Sequence, residues 1–328
     1  MNRSESEFAP TRRDMLKGLL ALGGLAVTGR AQSAPEPARR TAVAPERKPA
    51  LSLAYTHVKA GVSAPFSVFH ISDSHLADAD LGEDAELVEL GKLRMKTFGG
   101  YQKEALHALI TRGRQCADLI VHTGDLLDFV SEGNLRAAKE AFALGGGDVF
   151  GSIGNHEWRS SPGEPWVWGP KEENKQACAK VYPFNLDFDS RILNGVNLVS
   201  LDDSLIDAKG DFRRDITPDQ RERFEEEVAK GLPIVLCVHV PFWTPDVWMA
   251  SRQYWKKRTG KFCGENTAMP VFGRDTEDFI AYLKSEPLLK AILSGHEHIT
   301  VEERFSPTAM QYLIAGSFAF TARHVLIT

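Results

Sequence analysis

What most limits the fold of this sequence is a repeated junction. A short apolar run stops abruptly in Asp, Asn or His beside Gly or Ser. Phe66–Ile71 leads into Asp73 and His75, Asp118–Val121 into Gly124, Asp125 and Asp128, and Val149–Ile153 into Gly154, Asn155 and His156. Ile234–Val238 leads into His239, and Ala291–Leu293 into Gly295, His296 and His298. Runs this short, rich in β-branched and aromatic residues, read as buried strands. Helical periods lie between them. Tyr101–Gln115 puts Ala105, Leu106, Leu109 and Ile110 on one face, Pro218–Lys230 starts behind Thr217 as its N-cap, and Asp275–Lys284 is a third helix. Strands alternating with helices predict an α/β fold, in which ligands bind at the carboxyl ends of the strands. All five polar clusters fall at that end.

Composition narrows the classes further. A chain of 328 residues with 43% hydrophobic and 25% charged residues is an ordinary globular one, which excludes coiled coil, collagen and wholesale disorder. A formal charge of −5 speaks against nucleic acid held through overall charge, and no nucleic-acid partner is expected. Four cysteines are too few for a disulfide framework. No apolar run reaches the roughly 18–20 residues that a bilayer requires.

The first fifty residues read as an address and a tether. Thr11-Arg12-Arg13-Asp14-Met15-Leu16-Lys17 precedes the weakly apolar Gly18–Gly29, and Ala31-Gln32-Ser33 offers small residues for cleavage. The paired arginines resemble a twin-arginine export signal. Residues 1–33 are therefore expected to be a signal peptide and 34–50 a disordered linker rich in Pro, Ala and charge. Residues 51–328 are expected to form a single domain. The twin-arginine machinery becomes an expected partner, and the expected location is periplasmic or otherwise exported, with a membrane tether if the signal is retained.

Together the junctions supply Asp73, His75, Asp125, Asn155, His239, His296 and His298, which are four imidazoles, two carboxylates and one amide oxygen. Mixed nitrogen and oxygen donors suit Zn, Mn, Fe, Ni or Co, whereas an all-oxygen set suits Ca or Mg. Seven groups exceed what one tetrahedral ion needs. Two ions about 3.5–4 Å apart, sharing a carboxylate, would use them all.

Asp73-x-His75, Gly124-Asp125-x-x-Asp128, Gly154-Asn155-His156-Glu157, His239 and Gly295-His296-x-His298 resemble the motifs of the calcineurin-like metallophosphoesterases. The resemblance runs from about Phe66 to His298. It implies a four-layer α/β/β/α sandwich around two mixed β-sheets and two transition-metal ions (Mn, Fe or Zn). One ion would take Asp73, His75, Asp125 and His298, the other Asp125, Asn155, His239 and His296. His156 matches the family's catalytic histidine, which is not a ligand, and Asp128 and Glu157 would orient the ligands. The implied reaction is hydrolysis of a phosphodiester or small phosphomonoester by a metal-activated hydroxide. Purple acid phosphatases carry Tyr where this chain has Asp128, and the pattern is most similar to the cyclic-nucleotide and glycerophosphodiester branch. The alternatives are an acid-phosphatase-like monoesterase and a non-catalytic metal-binding protein of the same fold.

All six tryptophans (Trp158, Trp166, Trp168, Trp243, Trp248, Trp255) lie in two stretches that each begin just after a metal loop. With Arg252 and Lys256 they are candidates for a substrate lid built from inserts near 158–180 and 243–274; the alternative is plain packing against the sheet. In an oxidising compartment Cys178 and Cys263, one in each insert, could pair. Met310–Ala315 and Arg323–Ile327 read as strands, the second either a natural edge strand or the cut end of a longer chain.

Overall fold

A computed structural model describes residues 50–80, 82–158, 172–204, 215–259 and 272–328, all within the unit Lys48–Thr328. The twin-arginine segment, nearly all of the linker, Trp166, Trp168 and Cys263 lie outside the described residues. In chain order the elements are β1 (Ser52–Val58), β2 (Phe66–Ile71), α1 (Ala85–Thr97), α2 (Gln102–Cys116), β3 (Leu119–Thr123), α3 (Glu132–Gly145), β4 (Val149–Ser152), α4 (Glu172–Ala179), β5 (Phe188–Leu193) and β6 (Val196–Leu201). They continue with α5 (Pro218–Val228), β7 (Ile234–Cys237), α6 (Pro245–Thr259), α7 (Arg274–Ser285), β8 (Leu289–Ser294), β9 (Val301–Arg304), β10 (Met310–Leu313), a 3₁₀ turn (Ser317–Ala319) and β11 (Thr321–Ile327).

The strands form two mixed sheets, ordered β1-β11-β2-β3-β4 and β5-β6-β7-β8-β10-β9. In the first, β2, β3 and β4 run parallel while β11 is antiparallel to β2; in the second, β6, β7, β8 and β10 run parallel and β5 and β9 flank them antiparallel. The period of two along a strand divides the second sheet between two cores. Leu198, Val235, Ala291 and Leu293 join the larger core together with residues of the first sheet. Their neighbours Val199, Ile234, Leu236 and Ile292 join Phe224 of α5 and Phe279, Ile280 and Leu283 of α7. On the far side, α2 packs on β2, β3 and α3. The layers are thus helix, sheet, sheet, helix, as the motif resemblance implied.

Helix α5 begins where expected: Thr217 accepts from the Gln220 amide, and Gln220 returns the bond, closing a capping box ahead of Pro218. One expectation is corrected. β11 is no edge strand; it sits inside the first sheet, parallel to β1 on one side and antiparallel to β2 on the other. Among the described residues no helix is long and apolar enough to cross a membrane.

Candidate metal centre

Each predicted donor emerges from the carboxyl end of a strand: Asp73 and His75 after β2, Asp125 after β3, Asn155 and His156 after β4, His239 after β7, His296 and His298 after β8. Five of them hold left-handed backbone: Asp73 (φ 53°), His75 (48°), Asp125 (53°), His296 (68°) and His298 (55°). Non-glycine residues avoid that region unless their surroundings hold them there. Here the loops brace one another. The Asp73 and His75 amides donate to the Gly124 and Asp125 carbonyls (both 2.9 Å), and Gly295 donates to the His239 carbonyl (3.0 Å). The carboxylates do the same from the side, with His156 N donating to Asp125 Oδ1 (2.9 Å) and His296 N to Asp73 Oδ2 (3.0 Å). Two motif glycines allow this closeness. A Cβ on Gly154 would overlap Asp125 Oδ1, and one on Gly295 would overlap Ser72 Oγ and Asp73 Oδ2.

The donor atoms converge. Donor atoms of Asp73, His75 and His298 lie within 4.8 Å of one another, as do those of Asp125, His239 and His296, and those of His75, Asp125 and His156. Asp125 Oδ2 is the hub, 3.3 Å from His239 Nε2 and 3.8 Å from the Nε2 atoms of His75 and His156. Asn155 Oδ1 approaches His239 Nε2 at 3.2 Å. The Thr123 carbonyl can only accept, so His239 Nδ1, 2.7 Å away, donates to it, and His239 turns Nε2 toward the hub. His156 is fixed likewise, with Nδ1 donating to the Asp128 carbonyl (2.8 Å). Between the imidazoles, His75 Nε2 faces His298 Nε2 at 2.9 Å and His296 Nδ1 faces His239 Nε2 at 3.2 Å. Imidazole nitrogens, two carboxylates and an amide oxygen converging on one buried point make a mixed nitrogen and oxygen donor set, which fits two ions sharing Asp125.

Electrostatics agree. Burial alone would push the pKa values of Asp73 and Asp125 up, but His298 beside the first and His156 and His239 beside the second outweigh it and hold both below the usual carboxylate range. Burial opposes a proton on His239, yet Asp125 and then Asp73 outweigh it and push the imidazole up to about 10. His75, dominated by burial and then by His156, drops to about 3. Buried carboxylates thus demand positive charge at this edge.

A surrounding shell holds the donors in place. His75 Nδ1 bonds Asp128 Oδ1 (3.0 Å), and Arg94 of α1 clamps that carboxylate through Nε (2.5 Å) and Nη2 (2.8 Å). Glu157 accepts from the amides of Asp125 (3.1 Å), Leu127 (3.0 Å) and Gly154 (2.8 Å) and from Tyr182 Oη (2.9 Å), joining the loops after β3 and β4. Burial, then the Asp125 charge, pushes Glu157 up to about 7 against the pull of those amides. Asp203, which the sequence reading missed, accepts from the amides of His239 and Val240 (3.1 Å each) and fixes the loop after β7. Its signal was present, since the apolar stretch of β6 ends in Asp202-Asp203, yet neither Gly nor His marks it.

The tryptophans divide. Trp158 and Trp243 are each 7% exposed and sit in core clusters, so these two pack their segments against the cores. The Lys175 ammonium lies 4.6 Å from the Trp158 ring. Trp248 meets Trp243 edge-on, with the Arg252 guanidinium 5.5 Å above it, and Lys256 is exposed on α6. Trp255 lies beside a donor, 5.7 Å from the His298 ring. Cys178 is a free thiol buried in the larger core.

The calcineurin-like phosphoesterase family profile matches residues 66–300. A dimetal phosphatase from Danio rerio is similar in structure, with 14% identity, 77% of this chain and 88% of the other covered, and a TM-score of 0.43. A purple acid phosphatase from yellow lupin (Lupinus luteus) seeds shows 14% identity over 79% of this chain and 45% of its own, with a TM-score of 0.46. A 5′-nucleotidase from Candida albicans shows 13% identity over 83% of this chain and 47% of its own, with a TM-score of 0.38. No curated protein matches the sequence. With the match running from β2 through β8 and covering every donor loop, the chain belongs to the calcineurin-like phosphoesterase family, metal-dependent hydrolases of phosphoric esters.

Proposed function

We propose that this protein hydrolyses phosphodiester or small phosphomonoester bonds outside the cytoplasm at a dinuclear centre. One ion would be held by Asp73, His75, Asp125 and His298, the other by Asp125, Asn155, His239 and His296. The observation that carries the reading is the position of Asp125 Oδ2, ringed by imidazole nitrogens of His239, His75 and His156 at 3.3–3.8 Å. Bound there, two cations would acidify a water and stabilise charge building on the phosphoryl oxygens.

The rest falls to the chain's own groups. His156, with Nδ1 tied to the Asp128 carbonyl, aims Nε2 at the same space and is the group placed to hold a proton for the leaving oxygen. Asp128, itself clamped by Arg94, orients His75, and Glu157 keeps the Asp125 and Asn155 loops at fixed separation. Because these groups are already held by hydrogen bonds, little reorganisation accompanies the reaction. Export is supported by the paired Arg12 and Arg13 ahead of an apolar run.

The test compares protein starting at residue 34, reconstituted with Mn, Fe or Zn, on bis-p-nitrophenyl phosphate and p-nitrophenyl phosphate, with His156→Ala beside it. Diester turnover lost in the variant supports the proposal, and faster monoester turnover moves it to the acid-phosphatase-like alternative. Absence of turnover with every metal, despite bound ions, contradicts it. For export, Arg12→Lys/Arg13→Lys should keep the protein in the cytoplasmic fraction; unchanged fractionation contradicts that part.

A further inference from the structure

His298 is bracketed by two half-buried rings from distant parts of the chain. Trp255 of α6 lies 5.7 Å from its imidazole and Phe318 of the 3₁₀ turn lies 5.2 Å away, centroid to centroid. Both rings are positioned by bonds to the donor loops themselves. Trp255 Nε1 donates to Glu297 Oε2 (2.9 Å), Ser251 Oγ bonds the same oxygen, and Glu297 is a buried residue between His296 and His298. That carboxylate ties α6 to the last donor loop. On the other side, Ser317 N donates to the Ser72 carbonyl (2.7 Å) and Phe318 N to the Asp73 carbonyl (3.4 Å). Gly316 leaves the space that the Phe318 ring occupies, since a Cβ there would overlap it. Phe98, stacked on His75 at 4.2 Å, backs Phe318 at 4.8 Å. The exposed Arg258 guanidinium stands 5.8 Å from the Trp255 ring and adds positive charge at the rim.

Large apolar rings next to charged donors are costly to leave half in water, and the hydrogen bonds here hold them beside the donors and not in a core. We infer that Trp255 and Phe318 form a subsite for a flat aromatic group, an aryl ring or a nucleobase, attached to the phosphorus that the centre binds. The inference rests on the phosphoesterase reading for the position of that phosphorus, but its test does not depend on turnover. A planar group gains stacking from any aromatic wall, whereas an alkyl group of similar charge does not.

The experiment is calorimetric binding of phenylphosphonate and methylphosphonate to the metal-reconstituted protein, using wild type, Trp255→Leu, Phe318→Leu and Trp255→Phe. Wild type should bind the phenyl compound about tenfold more tightly than the methyl compound. Each leucine variant should cut that preference to about twofold or less because the stacking face is lost, in Trp255→Leu together with the bond to Glu297. Trp255→Phe loses the bond to Glu297 but keeps a ring, and should retain most of the preference. The inference is overturned by equal binding of the two compounds to wild type, by leucine variants that keep the preference, or by Trp255→Phe losing as much as Trp255→Leu. A phenyl preference in a protein without esterase turnover would sustain the subsite and refute the function proposed above.

Discussion

Glu157 offers a direct way to ask what holds the donor loops together. Its carboxylate is buried and takes two donors on each oxygen: the Asp125 and Gly154 amides on Oε2, the Leu127 amide and Tyr182 hydroxyl on Oε1. Glu157→Ala takes the acceptor from three backbone amides and the Tyr182 hydroxyl at once. A buried donor left without an acceptor costs about 1–3 kcal/mol, so the three amides together cost about 3–9 kcal/mol. Removing the negative charge beside Asp125 returns about 2–3 kcal/mol at an effective dielectric near 20. The net expectation is destabilisation of about 3 kcal/mol, at the upper end for single substitutions. Tyr182→Phe removes one donor and should cost about 1 kcal/mol. Urea unfolding followed by circular dichroism, on chelator-treated protein so that metal binding does not add to the apparent stability, measures both. If Glu157→Ala lies within about 0.5 kcal/mol of wild type, the loops hold their left-handed turns without this carboxylate and the reasoning fails.

Further outcomes rest on the same geometry. His122 is buried beside Ser74 and, chiefly through burial, its pKa falls from 6.5 to about 4. A depressed imidazole contributes stability that is full above the unfolded value and is lost as pH falls through it, because the unfolded chain takes the proton first. The stability difference between wild type and His122→Gln should therefore shrink by about 3 kcal/mol between about pH 7.5 and pH 4 in urea titrations, and a pH-independent difference contradicts the burial argument. Gly295→Ala should cost more than about 3 kcal/mol, since its Cβ collides with Ser72 and Asp73, and the variant should fail to retain metal through gel filtration. Asp128→Asn should weaken metal binding by about 10- to 100-fold while leaving the fold intact, because it loosens His75 and releases Arg94. Competition with a calibrated chelator reads this, and unchanged affinity would remove Asp128 from the groups that orient the ligands.

The donor loops were legible in the sequence because two constraints meet there. A buried parallel strand needs an apolar run, and a metal-binding edge restricts the next few residues to Asp, Asn, His and the glycines that make room for them. The boundaries of β2 and α5 came out almost as expected for the same reason, one fixed by Phe66–Ile71 and the other by Thr217 and Pro218. Elements without that double signature were missed. β5 and β9 are sheet edges, where Asp189 and Arg191 in one and Glu302 and Arg304 in the other interrupt any apolar run. In α1 the exposed Leu93 and Met95 blur the apolar stripe, so Arg94 had no local marker. Asp203 and Tyr182 act through backbone amides and a single carboxylate, contacts that depend on tertiary approach and leave no spacing to read. The tryptophan clusters left lid and packing both open because nearness in sequence to a donor loop says nothing about which way a ring turns, and Trp158 and Trp243 turn into the cores.

The central claim is that seven side chains hold two ions bridged by Asp125. Metal analysis by inductively coupled plasma mass spectrometry after gel filtration tests it on wild type, Asp125→Asn and His156→Ala. The account predicts two ions per chain in wild type and in His156→Ala, and fewer than one in Asp125→Asn, where both sites lose the shared negative carboxylate. One ion or none in wild type, or two retained in Asp125→Asn, would contradict it.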